Sequence, residues 1–165
     1  MPTSAKPRKK YRPKTRLVNP IDYVLEGFAP LERAPDNYLL NLKLTNHSAM
    51  TELLAGRATR KHMNQLIAMS NMCEALQRMG FGNDYKEVAV EGRFAILSII
   101  FRAVEKLKFA PTGTEINMLN TLMELHDALM DVVTVSDMEK AILLAKKEIR
   151  SKKAFVVPSY PKELV

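Results

Sequence analysis

The apolar residues of this chain fall into two regimes that meet near residue 45. Beyond it they recur at helical spacing. Met63, Leu66, Met69, Met72, Cys73 and Leu76 form one stripe, with Asn64, Asn71, Glu74 and Arg78 opposite and Glu74 and Arg78 at pair-forming i,i+4 spacing. Thr59 stands where an N-cap belongs and Gly80 where a helix ends, so a helix is predicted over 59–79. A short helix over 48–55 precedes it and stops at Gly56.

Asp84-Tyr85-Lys86-Glu87 reads as a capping box opening a helix to about Phe109. Between 94 and 104 that helix is apolar nearly all round, with a thin polar strip of Glu91, Ser98, Arg102 and Glu105. The pattern predicts a central helix touched on several sides. Pro111 and the box Thr112-Gly113-Thr114-Glu115 open another helix to Val133. The last, 135–152, carries Val135, Met138, Ile142, Ala145 and Ile149 at 3-4 spacing. So short a junction predicts that the final two helices form an αα-hairpin.

Before residue 45 the pattern differs. Tyr38, Leu40, Leu42 and Leu44 alternate at period two and read as extended, with Phe155–Val157 as the candidate partner strand. Pro30 and Pro35 punctuate a connector with room for one helical turn at Ile21–Glu26. The expected fold is all-α: an irregular bundle of four main helices plus one short helix. A basic arm (1–20) and an extended connector (21–44) precede the helical domain (45–153), and an extended tail (154–165) follows it.

Charge changes this picture most. The 165 residues carry a formal net charge of +7. Lys6, Arg8, Lys9, Lys10, Arg12, Lys14 and Arg16 stand in the first twenty residues without a single acid, so the excess belongs to the arm and the remainder is neutral. Four prolines among those cations favour polyproline II or disordered geometry. The seven cations suit phosphate contacts, and Tyr11 is available to stack on a base. A solubilising tail, or a patch for an acidic protein, is the alternative. Lys146, Lys147, Arg150, Lys152 and Lys153 form a secondary basic patch that also complements a helix dipole.

Other chemistries find less support. One cysteine, Cys73, excludes an internal disulfide and favours a reducing compartment, and its apolar setting makes it an inert thiol. No apolar signal segment opens the chain, and the longest greasy run, Phe94–Phe101, is far short of a membrane span. A cytoplasmic protein without a membrane partner is expected. His126 projects from an apolar helix face and reads as a core histidine hydrogen-bonded to backbone or to a carboxylate on another helix; no Glu-x-x-His pair supports a di-iron site. His47 suits a capping or turn role and His62 an exposed first turn. Glu124, Asp127 and Asp131 line the polar side of the same helix as His126 and read as a solvated face, or as a dock for the basic arm. The spacing of helices 48–55 and 59–79 loosely fits a helix-turn-helix, which would present Arg60, Lys61, His62 and Asn64. No phosphate loop or nucleophile elbow is present. No catalytic residue, metal site or cofactor is assigned, and no enzyme is expected. Ten methionines fill a core or form adaptable partner-binding faces.

The segments Lys9–Lys14 (KKYRPK), Leu44–Met50 (LTNHSAM), Gly56–Thr59 through Asn71–Glu74, and Glu124–Ala128 (ELHDA) resemble small proteins encoded by bacterial prophages and related mobile elements. No activity is assigned to that group, so the resemblance implies context alone: a bacterial cytoplasm and a phage-linked role. Two functions follow as expectations. One is a nucleic-acid-associated accessory or regulatory protein that binds through its arm. The other is an interaction module for a host protein, acting through Met-rich faces. Either way, two-sided apolar helices predict a homo-oligomer.

Overall fold

The computed structural model describes residues 37–151, and the structural statements below concern those residues. The basic arm, most of the connector, Lys152, Lys153 and the C-terminal tail lie outside them. Five helices and no strand are present: α1 (Tyr38–Leu54), α2 (Arg60–Arg78), α3 (Lys86–Lys106), α4 (Gly113–Val132) and α5 (Val135–Arg150). A 3₁₀ turn, Asn83–Tyr85, precedes α3. The all-α bundle expected from the periodicity is what forms.

The first helix corrects the sequence reading. Tyr38–Leu44 is helical rather than extended, so the short helix becomes one of 17 residues and the connector ends before Tyr38. Leu39, Leu42, Asn46, Ala49 and Leu53 repeat at 3-4-3-4 and face the core, while Leu40 and Leu44 stay exposed. The period-two alternation was the coincidental pattern. A polar residue, Asn46, at the middle core position masked the helical one.

α2 is the centre of the bundle. It packs against α1, α3 and α5 and also touches α4. Its six expected stripe residues are all buried, and Gln65, Ile67, Ser70, Ala75 and Gln77 are buried with them. Gln77 reaches out of the helix end to donate to the Tyr85 carbonyl at 2.9 Å, pinning the turn into α3. Gly82 takes a positive φ of 63° in that turn, and a side chain there would press on Leu129 at 3.2 Å. The turn replaces the expected Asp84 capping box: Asp84 lies inside the 3₁₀ segment, and the residue before α3 makes no side-chain cap.

α3 and α4 form the most extensive helix pair. Gly92 lies at their crossing, where an added Cβ would meet Leu122 Cδ2 at 2.6 Å. The helix α3 is therefore peripheral, packed on α2 and α4 along one side; the central role expected of it belongs to α2. Its C-cap, Leu107, is left-handed at φ 51°, and Phe109 tucks back into the core.

The boxes at Thr112 and Thr134 both close. Thr112 N–H donates to Glu115 Oε2 at 2.7 Å, and Thr134 N–H donates to Asp137 Oδ2 at 3.1 Å. The expected αα-hairpin does not form. Val133 and Thr134 are both extended, with ψ of 149° and 163°, so α5 leaves α4 and lies instead against α2. Met138, Ala141, Ile142 and Ala145 are the residues it buries there.

Candidate functional site

The seam between α1 and α4 holds the densest polar constellation among the described residues. α1 contributes Lys43, Asn46 and His47 at i, i+3 and i+4, α4 contributes His126, Asp127 and Asp131, and α2 contributes Gln65. Helical spacing puts each group on its facing edge.

The hydrogen bonds converge on the Asp127 carboxylate. Gln65 Nε2 donates to Asn46 Oδ1 at 2.7 Å, which turns the Asn46 amide nitrogen toward His126 Nε2 at 3.0 Å. A donor facing Nε2 makes that nitrogen the acceptor, so the proton of the neutral imidazole sits on Nδ1. Nδ1 in turn faces Asp127 Oδ1 at 3.2 Å. The other carboxylate oxygen, Oδ2, takes His47 Nε2 at 2.7 Å. Lys43 and Asp131 close the outer edge at 2.5 Å.

Burial grades along this relay. His126 and Asn46 are 0% and 1% exposed, while His47 is half in solvent. Burial pushes the His126 pKa down and Asp127 pulls against it, but the nearby Lys43 cation adds to the burial effect, so the ring is held below its ordinary value. For Asp127, burial raises the pKa but is outweighed by the two histidines, and the carboxylate is held below its usual range.

His126 is a core histidine as expected, with both ring nitrogens taken by protein, but its partners differ from the expected backbone or carboxylate of another helix: they are the Asn46 amide of α1 and the carboxylate of the next residue on its own helix. The solvated-face reading holds for the exposed Glu124 and Asp131 and needs correcting at Asp127. Asp127 is a half-buried bridge between two histidines, while Asp131 pairs with Lys43 at the surface. Sequence reasoning missed Asn46 and Gln65 entirely. The available signal was Asn46 lying four residues beyond Leu42 and three before Ala49, on the buried face.

The remaining candidates separate cleanly. His62 is not a free first-turn group: its Nδ1 accepts from Thr59 N–H at 3.1 Å and caps α2. α2 packs on all four other helices, and of the residues a helix-turn-helix would present, Arg60 and Lys61 are exposed while His62 and Asn64 are half-buried. Met50, Met63, Met69, Met72, Met123, Met130 and Met138 are buried, so these methionines fill the core rather than line a binding face. Cys73 is buried, and desolvation pushes its thiol pKa up. Of the secondary basic patch, Lys147 and Arg150 are exposed in the last turn of α5 and Lys146 is half-buried. Among the described residues no cluster of three His, Cys, Asp or Glu is placed to hold a metal, and no helix is long and apolar enough to cross a membrane. No protein-family model, curated protein or solved structure matches the chain.

Proposed function

We propose that this is a non-enzymatic nucleic-acid-associated accessory or regulatory protein of a phage or mobile element, which binds the phosphate backbone through Lys6, Arg8, Lys9, Lys10, Arg12, Lys14 and Arg16. The observation that carries the reading is the segregation of charge: the arm holds the whole excess of +7, and the chain beyond it is balanced. The bundle supports the division of labour. Three of its arginines are held in ion pairs, with Arg93 and Arg78 both on Glu74, Arg78 also on Glu148, and Arg102 on Glu115. Phosphate contact is assigned to the arm, where cations stand without acids.

Fluorescence anisotropy with labelled duplex and single-stranded oligonucleotides, over a range of salt, tests this on the full-length chain. With all seven cations engaged, log affinity falls against log salt with a slope of up to about −6 on duplex DNA. Changing the seven to glutamine abolishes binding. Unchanged affinity in that variant overturns the reading.

A further inference from the structure

The outer side of α3 carries an apolar stripe that nothing among the described residues covers. Val90, Phe94, Leu97, Phe101 and Val104 follow one another at 4-3-4-3, directly opposite the buried set Gly92, Ala95, Ile96, Ile99 and Ala103. Phe94 and Phe101 are 59% and 57% exposed, and Val90 and Val104 36% and 42%. This is the spacing of a coiled-coil seam, with the phenylalanines at a and the valines and leucine at d. It extends about 21 Å along the helix at about 1.5 Å per residue.

We propose that this face pairs with the same face of a second copy of the chain, the two α3 helices lying parallel about a two-fold axis. Two arguments select that occupant. The first is area. The two rings leave roughly 200–250 Å² of apolar surface in water, and the aliphatic residues bring the stripe to about 400 Å², at the size of patch that monomers seldom leave open. Two stripes remove about 800 Å², and their flanking side chains bring the total to the roughly 1,000 Å² a specific interface needs.

The second argument is charge. One flank of the stripe bears Glu91, Ser98 and Glu105; the other bears Lys86 and Arg93. Arg93 is committed to Glu74. Lys86 and Glu91 are both exposed and stand at g and the following e, five residues apart, the positions that meet across a parallel seam. Each two-fold pairing therefore forms the Lys86–Glu91 contact twice. An antiparallel seam instead joins like flanks and sets Glu91 against Ser98 or Glu105, with no cation to meet either.

Sedimentation equilibrium on the full-length protein reads the outcome. The expected mass is twice the 18.7 kDa of the chain. Phe94→Glu and Phe101→Glu, at exposed positions that leave the core intact, each weaken association at least tenfold without loss of helical circular dichroism. Lys86→Glu and Glu91→Lys each weaken it about threefold, and the double exchange restores it. Val90→Cys self-crosslinks under mild oxidation because the two copies of residue 90 face each other at a d position, while Cys73 stays buried. A monomer at concentrations of about 100 µM, or a dimer indifferent to both phenylalanine changes, overturns the proposal. A dimer in which Val90→Cys does not crosslink overturns the parallel arrangement.

Discussion

Replacing Asn46 by leucine isolates the worth of the relay. The two side chains have the same number of heavy atoms and the same branching, so the change opens little cavity. It leaves two buried groups without partners: the lone pair of His126 Nε2 and the Gln65 Nε2 donor. Each orphaned group costs about 1–3 kcal/mol. Burying a leucine at this site returns about 1.5–3 kcal/mol. The net expectation is a loss of about 2 kcal/mol, or a melting temperature lower by about 6 °C for a chain of this size. Adding His126→Leu removes the stranded acceptor as well and recovers part of that loss, because taking away both partners of a buried bond is cheaper than taking away one. Urea denaturation followed by far-ultraviolet circular dichroism is the suitable assay, since the chain has no tryptophan to report by fluorescence. It belongs at about pH 8, above the ordinary histidine pKa of about 6.5, so that protonation does not enter. A single mutant within a few tenths of a kcal/mol of wild type, or no coupling between positions 46 and 126, would refute the relay.

Acid should weaken the fold in two stages. Burial holds His126 below its ordinary pKa, so the unfolded chain takes up a proton first; stability is full above about pH 6.5 and falls as pH drops toward the folded-state value. That first stage disappears in His126→Leu. A second stage remains in both proteins, starting as pH falls below about 4.5. Glu115 and Asp127 drive it: burial raises both carboxyl pKa values, but Thr112 and Arg102 around the first and the two histidines around the second outweigh it. Ser70→Ala is expected to stabilise by about 1 kcal/mol in the same denaturation assay, because it removes a buried hydroxyl that has no partner and adds a better helix former. The Cys73 thiol should react with a thiol reagent only as fast as the protein opens, and at once in urea; prompt reaction of the native protein would contradict its burial.

What the sequence made legible depended on whether one neighbour or several decided each residue's fate. The α2 stripe and the caps at Thr59 and Thr112 were readable because each rests on a local period or a three-residue spacing. α1 was not, since Asn46 occupies a core position for the sake of His126, eighty residues away. α3 misled for the opposite reason. An all-round apolar helix satisfies the same pattern whether its second face meets the core or points out of it, and only the path of α5 across α2 decides the matter. That path follows from two extended residues, Val133 and Thr134, whose conformation no periodicity encodes. The candidate site was half visible for the same cause. His126 announced itself as a polar residue on an apolar face, but Asn46, which meets its inner ring nitrogen, comes from another helix, and Gln65, which orients Asn46, from a third.

The two proposed activities rest on different residues, the arm cations and the α3 stripe, and are separable by mutation. α1 packs on α2 and α4, and α3 packs on the same two helices without appreciable contact with α1. α1 and the helix that bears the seam therefore sit on different sides of the α2–α4 pair. A parallel dimer would carry two arms, and the second arm binds a long duplex at the effective concentration set by the first, which is worth about 10²–10⁴ in apparent affinity where both can reach. A short oligonucleotide that holds one arm gains nothing from the second. Phe94→Glu should therefore leave binding to the short oligonucleotide intact and weaken binding to the long one by at least tenfold. Glutamine changes in the arm should abolish binding to both and leave the dimer mass unchanged. Parallel loss on both lengths in the Phe94→Glu variant would mean that the seam and the arm act through one surface, contrary to the proposed division of labour.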